Sequence, residues 1–389
     1  MTMLKRLKKL VEINSYTANK SGVDAVGRLC ESWLKPLGFR SKQFSRQHIG
    51  DHLLLTTPRV DGERILLLGH LDTVFAPVTF DSFCQDDLWV YGPGVCDMKG
   101  GLIVAIEALE QVFHRHGPLK NIDFLLVSDE ETGSDDSKAL TQQLAPDYHY
   151  CFVLEAAGQN MELVTARKGV GTFTLEIIGR KAHSGMAIAH GIDANREAAE
   201  KLLSLCALSD VELGTTVNVG KITGGTGANT VSGASSLLFE IRFSSHAEKM
   251  RLLSAIDQLV ATSAIQGTTL RLSGSIQRDV MEESSQQLRL LRRIGQISGQ
   301  VLATQHRGGV SDANLAAQMG VLTLDGFGPF GDGDHTLDER ALIVSFSSRI
   351  DLLVKVINCQ QQQRNLDVEN DDGTDDWVVD VPELRRKRD

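Results

Sequence analysis

The sequence of 389 residues lacks several common signatures, and each absence argues against a class of protein. No apolar run approaches the roughly 20 residues that cross a bilayer, so a membrane protein is not expected. The net charge of −10 gives no general attraction to nucleic acid or to an anionic membrane. The six cysteines are scattered and form no C-x-x-C pair, which is typical of reduced thiols rather than a disulfide framework.

Two catalytic motifs are also missing. No G-x-x-x-x-G-K-[ST] segment occurs, which argues against a phosphate-binding loop, and no G-x-S-x-G elbow supports a metal-independent α/β hydrolase. The chain starts with a basic segment, but its leucines recur at helical spacing and no apolar core of a signal peptide follows. We therefore expect a helical segment from Leu4 to Leu37, ending at Gly38, and a cytoplasmic protein.

Short apolar strands alternate with a helical segment in the first part of the chain. The strand-like segments are 51–57, 64–70, 121–131 and 150–157, and the helix covers 100–117. This alternation predicts an α/β domain with a mixed, mainly parallel sheet flanked by helices. Three of the strands run into histidine or acidic residues, and ligands bind beyond the carboxyl ends of such strands.

The pattern changes after Arg167, where the apolar residues alternate as in half-exposed antiparallel strands. Two helical segments separate these strands, which indicates an inserted β-α-β-β-α-β unit of ferredoxin-like, α+β type. The polar C-terminal segment has no periodicity and is predicted to be disordered. The predicted division is a discontinuous catalytic domain (1–168 and 281–363), an inserted domain (169–280) and a tail (364–389).

His70 and Asp72 follow the apolar segment 65–69 directly, and side chains two residues apart share a face of a strand. An aspartate in that place can orient an imidazole and leave its other nitrogen free for a metal. Taken alone, an H-x-D pair is more typical of a satisfied core histidine.

Further candidate ligands favour the metal interpretation. Asp97 lies in a glycine-rich loop before a helix, and Glu130, Glu131 and Glu155 end two other apolar strands. His335 lies between glycines and acids near the C-terminus. Imidazole and carboxylate without thiolate suit zinc, with cobalt or manganese as alternatives. The excess of carboxylates predicts two ions with a bridging ligand and one carboxylate kept off the metals as a base.

The segments that carry these residues resemble those of the M20 metallopeptidases from about residue 4 to 360. They are GHLDTV, GPGVCDMKGG, DEETGS, EAAG, KAHSG and GDGDHTLDE. The resemblance implies a zinc-exopeptidase-like catalytic domain and an inserted lid and dimerisation domain. It also implies a metal-bridging hydroxide as nucleophile.

The resemblance also implies a role for each candidate in a site with two Zn²⁺ per subunit. His70 and Glu155 would bind one ion, Glu131 and His335 the other, and Asp97 would bridge them through a loop with a cis peptide. Asp72 would orient His70. Glu130 would be the general base.

Four further residues are candidates for substrate contacts by the same resemblance. His183 would polarise the scissile carbonyl from the partner subunit of a homodimer, although by itself it has the pattern of a surface histidine at a strand end. Asn229 and Arg242 would grip a substrate carboxylate, although an arginine there would equally suit a rim salt bridge. Gly309 lies in a loop whose backbone would face that carboxylate.

Glutamate at position 155 is typical of the carboxypeptidases and deacylases of that family. It predicts cleavage of an amide in a small peptide or N-acyl amino acid, with release of an amino acid that carries a free carboxylate. A carboxypeptidase G2-like activity is the preferred hypothesis. An N-acyl-amino-acid deacylase, related to acetylornithine deacetylase or succinyl-diaminopimelate desuccinylase, is the alternative. A metal-dependent binding protein without turnover is a third.

Overall fold

A computed structural model describes residues 2–362 and residue 366 of the chain. The predicted disordered tail, 364–389, lies outside these residues apart from Leu366, which is buried and donates its backbone N–H to Glu63. The helices are α1 (Met3–Val11), α2 (Lys20–Leu34), α3 (Lys99–His116), α4 (Ser137–Leu144), α5 (Ala194–Cys206), α6 (His246–Ala261), α7 (Ser285–Ser298), α8 (Asp312–Gln318) and α9 (Ile343–Gln361).

The strands of the catalytic part are β1 (Arg40–Phe44), β2 (His52–Thr56), β3 (Ile65–His70), β4 (Cys84–Gln85), β5 (Trp89–Tyr91), β6 (Ile122–Val127), β7 (Tyr150–Val153) and β8 (Leu163–Arg167). The inserted part contains β9 (Gly169–Ile178), β10 (Ala182–His183), β11 (Thr216–Gly224), β12 (Thr230–Val231), β13 (Ala234–Phe243) and β14 (Thr269–Arg278). The chain continues with β15 (Thr304–Arg307), β16 (Leu322–Leu324), β17 (Gly331–Asp332) and β18 (Arg340–Leu342).

The main sheet has the strand order β1-β2-β6-β3-β7-β16. Strands β6, β3, β7 and β16 are parallel to one another. At one edge of the sheet, β2 pairs antiparallel with β6 and with β1. The predicted mixed and mainly parallel sheet is therefore confirmed. Every residue of β3 and β6 is buried, because helices cover both faces of such a sheet. Because β3, β6 and β7 are parallel, their carboxyl ends lie on the same side of the sheet, which we call the carboxyl edge.

The helical segment predicted for 4–37 is divided in the structure. The chain leaves helical geometry between Val11 and Lys20, and the side chain of Asn19 starts α2 by accepting the backbone N–H of Gly22. The predicted stop at Gly38 is present, with φ of 92° in the left-handed region that glycine tolerates.

The inserted part is an antiparallel sheet with the order β11-β13-β9-β14 and two helices, α5 and α6, that pack on it. This order is that of the predicted ferredoxin-like unit. Its own apolar core contains the stacked rings of Phe173 and Phe239, 5.6 Å apart. This core ends at Val280, and Met281 belongs to the core of the catalytic part. The domain boundaries themselves stay a prediction.

A small sheet of order β17-β18-β5-β4 joins two segments that are far apart in the sequence. β5 leads into the loop that carries Asp97, and β17 and β18 flank the segment that carries His335. Pairing of β18 with β5 therefore holds these two side chains near each other. Across residues 2–362 and 366, no helix has both the length and the apolar character to cross a membrane.

Candidate active site

The carboxyl edge of the main sheet collects the candidate ligands that follow β3, β6 and β7. His70 is the last residue of β3, Glu130 and Glu131 form a short turn three residues after β6, and Glu155 follows β7 by two residues. The strands end here because polar side chains replace the apolar run. Asp97, in the loop before α3, lies beside these residues and adds a further carboxylate to the group of possible ligands.

The first cluster of possible ligands contains His70, Asp97 and Glu155. His70 Nε2 lies 3.0 Å from Oδ1 of Asp97 and 3.8 Å from Oε1 of Glu155. The histidine is almost completely buried, so its ring can leave this position only if the surrounding residues move.

The second cluster contains Asp97, Glu131 and His335. His335 Nε2 lies 3.2 Å from Oδ2 of Asp97 and 3.1 Å from Oε2 of Glu131. Asp97 therefore faces one cluster with each of its two carboxylate oxygens. His335 has a φ of 63°, which is uncommon for a residue with a side chain and is often found at functional sites.

The spacing of these atoms fits divalent metal ions. Zinc bonds of about 2.0–2.2 Å to nitrogen and oxygen in a tetrahedral site place neighbouring ligands about 3.3–3.6 Å apart. The observed separations within the two clusters, 3.0–3.8 Å, are close to these values. Because Asp97 belongs to both clusters, the residues fit two ions with Asp97 between them.

The electrostatics of the clusters also favour cations. Burial raises the pKa of Glu131 to about 8, and the charge of Asp97 adds to this effect. Burial and Asp97 likewise raise the pKa of Glu155 well above its ordinary value. Hydrogen bonds to Asp97 and Glu131 raise the pKa of His335 to about 11. Burial and neighbouring charge thus disfavour ionisation of these carboxyl groups, and divalent cations bound between them would favour their ionised forms.

The carboxylate of Glu339, outside the two clusters, fixes the loop that carries Asp97. Glu339 accepts backbone N–H groups from Gly94 and Cys96 at 2.9 Å and from Asp97 at 3.1 Å. Gly94 has a φ of 80°, a conformation that favours glycine. The peptide bond between Asp97 and Met98 is cis, as the family resemblance implies.

Asp72 contacts both the first cluster and the acidic turn. Its backbone carbonyl lies 3.0 Å from His70 Nδ1, and its carboxylate lies 3.4 Å from the same nitrogen. The two carboxylate oxygens accept the backbone N–H groups of Glu130 and Glu131 at 3.3 and 3.2 Å. Asp72 can therefore orient the ring of His70 so that Nε2 faces the cluster, and it also fixes the turn.

Glu130 has a single partner for its carboxylate among the described residues. Its Oε1 accepts a hydrogen bond of 2.6 Å from Arg278, the last residue of β14 in the inserted sheet. The sequence alone did not identify Arg278, because an arginine at a strand end is usually exposed.

A set of arginines surrounds the loop of Gly308 and Gly309. Arg242, from β13, donates to the carbonyl of Gly308 at 3.0 Å and pairs with Glu240. Arg167 donates to the carbonyl of Gly309 at 3.1 Å and is buried against Asp325. The structure thus brings the predicted residues Arg242 and Gly309 to one loop, together with Arg167, which the sequence analysis did not identify.

His183 and Asn229 lie together on the inserted domain. β10 and β12 pair His183 with Thr230, and the carbonyl of Asn229 accepts the N–H of Ser184. Within the described residues, no hydrogen bond or ion pair joins His183 to the metal-ligand clusters. Its Nδ1 accepts the backbone N–H groups of Gly185 and Met186 at 3.2 Å, so Nε2 carries the proton and is available as a donor.

Known proteins resemble this chain over most of its length. The sequence description of Peptidase family M20/M25/M40 matches residues 66–358, which is most of the chain. The chain belongs to this family. It is an M20 metallohydrolase, and its two clusters that share Asp97 fit a dinuclear metal site.

Two curated relatives align over most of their length. Carboxypeptidase G2 of Pseudomonas sp. (strain RS-16) is 25% identical over 359 residues, covering 89% of this chain and 85% of the relative. Succinyl-diaminopimelate desuccinylase of Bradyrhizobium sp. (strain ORS 278) is 25% identical over 375 residues, covering 87% and 94%. These identities are too low to establish the activity of either relative here.

Solved structures confirm the M20 fold. A tripeptidase of Staphylococcus aureus has a TM-score of 0.79 at 22% identity, covering 92% of this chain and 98% of that one. An M20 family metallo-carboxypeptidase of Sulfolobus solfataricus has a TM-score of 0.71 at 14% identity, covering 92% and 99%. Both matches include the catalytic sheet and the inserted antiparallel domain.

Proposed function

We propose that this M20 protein is a two-metal amide hydrolase that releases an amino acid with a free α-carboxylate from a small peptide or an N-acyl conjugate. The activity would be of the carboxypeptidase G2 type. The observation that carries the proposal is the position of Asp97, whose two oxygens face separate clusters, His70 with Glu155 and Glu131 with His335.

Bound at these ligands, two divalent ions, Zn²⁺ by preference with Co²⁺ or Mn²⁺ as alternatives, would supply Lewis acidity and lower the pKa of a water molecule. Glu130 would act as the base that takes the proton of the attacking water and returns it to the leaving amine. Its position supports this role, because Oε2 has no hydrogen-bond donor within the described residues while Oε1 is held by Arg278. Asp72 would keep His70 and the acidic turn in place.

His183 would stabilise the developing oxyanion of the scissile carbonyl. The protonated Nε2 is the atom suited to this contact, because Nδ1 already accepts two backbone N–H groups. We propose that His183 acts in the site of a partner subunit and that the inserted domain forms a homodimer. The exposed position of His183, without a hydrogen bond or ion pair to the clusters among the described residues, supports a contact made across subunits.

Arg242, Asn229 and the backbone of Gly309 would hold the α-carboxylate of the leaving amino acid. A guanidinium group binds a carboxylate through two parallel hydrogen bonds, which suits recognition of a free carboxyl end. The hydrogen bond from Arg242 to Gly308 supports this proposal, because it places the arginine at the loop where Gly309 lies.

A second candidate is an N-acyl-amino-acid deacylase. The alignment with succinyl-diaminopimelate desuccinylase supports it, since this alignment covers 87% of the chain, close to the 89% for carboxypeptidase G2. The same residues would act in both reactions, and the side chains accepted at each end of the substrate distinguish them. A screen of N-acyl amino acids against peptides that end in Glu, Asp, Leu or Gly, with added zinc, separates the two candidates.

The decisive variant is Glu130→Gln. We expect it to lower kcat by about 10²–10⁴-fold, the usual contribution of a positioned base, while metal content stays near that of the wild type. Asp135→Asn is the matched control, because this residue lies in the same acidic loop but is exposed. Wild-type turnover in Glu130→Gln would refute the assigned role. A wild-type protein that binds metal but hydrolyses none of these substrates would indicate a binding protein.

A further inference from the structure

Arg278 connects the inserted domain to the acidic turn of the site. It is the last residue of β14, at the point where the chain returns from the inserted domain to the catalytic part. Its side chain is almost completely buried, with 2% of its surface exposed. Its guanidinium Nη1 lies 2.6 Å from Oε1 of Glu130, so the two groups form a close ion pair.

The other side of the guanidinium group contacts two further residues. Nη2 donates to the hydroxyl of Ser134 and lies 3.3 Å from Oδ1 of Asp312, the first residue of α8. The hydroxyl of Ser134 in turn donates to Asp312 at 2.6 Å. Arg278 therefore cannot turn away from Glu130 without breaking a buried hydrogen-bonded network, so its own position is fixed.

Glu130 is consequently fixed at both ends. Its backbone N–H is held by Asp72, and its Oε1 is held by Arg278, whereas Oε2 has no donor within the described residues. Without Arg278, the carboxylate of Glu130 would have no hydrogen-bond partner among the described residues, so its side chain would be free to rotate.

We propose that Arg278 is a positioning residue that holds Glu130 in the orientation required for proton transfer. This inference rests on the proposed function of Glu130 as the base. A role in stability alone explains the pair less well, because buried ion pairs stabilise proteins little compared with apolar residues of similar size. The orientation of a base, in contrast, has a large effect on the rate because proton transfer needs close alignment.

The test uses the full-length, metal-loaded protein and the substrate that the wild type hydrolyses fastest. We expect Arg278→Met to lower kcat by about 10–10²-fold, a part of what a general base contributes, with KM changed by less than about 3-fold. Arg278→Lys keeps the charge but has one nitrogen in place of Nη1 and Nη2, and we expect an intermediate kcat. Arg6→Met is the control, because Arg6 is also buried and paired with Glu107 and Glu110, away from the site.

Two readouts separate positioning from a structural effect. Guanidinium chloride at millimolar concentration should restore part of the kcat of Arg278→Ala, because this truncated side chain leaves a space that the free ion can occupy. The double variant Glu130→Gln/Arg278→Met should be no slower than Glu130→Gln, because Arg278 acts through Glu130. The zinc content of Arg278→Met and of the double variant, measured after dialysis, should match that of the wild type.

The inference is overturned if Arg278→Met and Arg278→Lys keep kcat within about 3-fold of the wild type, or if the loss lies entirely in KM. Additive losses in the double variant would overturn it as well. These outcomes differ from a failure of the proposed function, which would appear as an inactive wild type or an active Glu130→Gln.

Discussion

The carboxylate of Glu339 accepts the backbone N–H of Asp97, with 3.1 Å between Oε1 and the nitrogen. The same carboxylate also accepts two other N–H groups of this loop, from Gly94 and Cys96. Glu339 follows His335 by only four residues. A single short segment therefore supplies one proposed ligand directly and fixes the backbone that presents the shared ligand Asp97.

We expect Glu339→Gln to weaken zinc affinity by about 10–100-fold, the usual effect of changing a partner that orients metal ligands. The amide has one acceptor oxygen, and its NH₂ group would face the N–H donors of the loop, so at least one donor would lose its partner. Competition of the protein with a chromophoric zinc chelator measures this change without depending on catalysis.

Glu197→Gln provides the matched control for this variant. Glu197 is a fully buried carboxylate in the inserted domain that accepts the backbone N–H groups of Ala264 and Ile265. We expect both variants to lower the melting temperature, but Glu197→Gln should keep the zinc affinity of the wild type. Equal affinities for Glu339→Gln and the wild type would contradict the role of Glu339.

The shared position of Asp97 predicts how many ions each variant retains. Asp97→Asn should reduce the binding of both ions, whereas His70→Ala and His335→Ala should each remove one ion and leave the other. Elemental analysis after dialysis against a low zinc concentration gives the number of ions per chain. Asp97→Asn with two tightly bound ions would show that the clusters do not share this ligand.

Burial predicts which thiols react in the folded protein. Burial raises the pKa of the Cys30 thiol to about 12 and raises the pKa of Cys96 and Cys151 well above the ordinary value. At pH 8 these thiols stay protonated and unreactive. We expect a disulfide reagent to label the exposed Cys84 and Cys206 rapidly and the four buried cysteines only after denaturation. Rapid labelling of Cys30 in the native protein would contradict its burial.

The sequence indicated His70, Glu131 and Glu155 as candidate ligands because they follow buried strands closely, whereas Asp97 and His335 lie in glycine-rich loops. An apolar run that ends in His70 or Glu155 places its last side chain at the sheet edge, whatever the rest of the chain does. The mainly parallel character of the main sheet and the ferredoxin-like insert follow from the alternation of strands and helices in the same way.

The sequence did not predict the residues that hold the site in place through contacts with distant segments of the chain. Glu339 contacts a loop more than 240 residues earlier in the chain, and Arg278 contacts a turn nearly 150 residues earlier. Their contacts depend on the pairing of β18 with β5 and on the return of the chain after β14. Neither residue has a local pattern, because an isolated charge in the sequence is usually exposed.

Recognition of a free carboxylate predicts a selective effect of Arg242→Met. We expect KM for a substrate with a free α-carboxylate to rise by about 10–100-fold, since a hydrogen bond to a charged group contributes about 1.5–3 kcal/mol. The amidated form of the same substrate should be hydrolysed equally poorly by the variant and the wild type. Arg271→Met is the control, because Arg271 is an exposed arginine on the neighbouring part of the same sheet, in β14. An unchanged KM for the free carboxylate would contradict the proposal.

The proposed contribution of His183 from a partner subunit predicts complementation between two inactive variants. Glu130→Gln lacks the base and His183→Ala lacks the donor, so each alone should be nearly inactive. In a hybrid dimer, one site would combine Glu130 of one chain with His183 of the other, and that site should work. Random mixing after refolding or co-expression should therefore restore up to about a quarter of wild-type activity, because half of the dimers are hybrids with one working site each. Gel filtration shows whether dimers form, and each variant refolded alone is the control. A mixture that stays inactive although dimers form would place His183 in the site of its own chain. A chain that is monomeric and active would reject the contribution across subunits altogether.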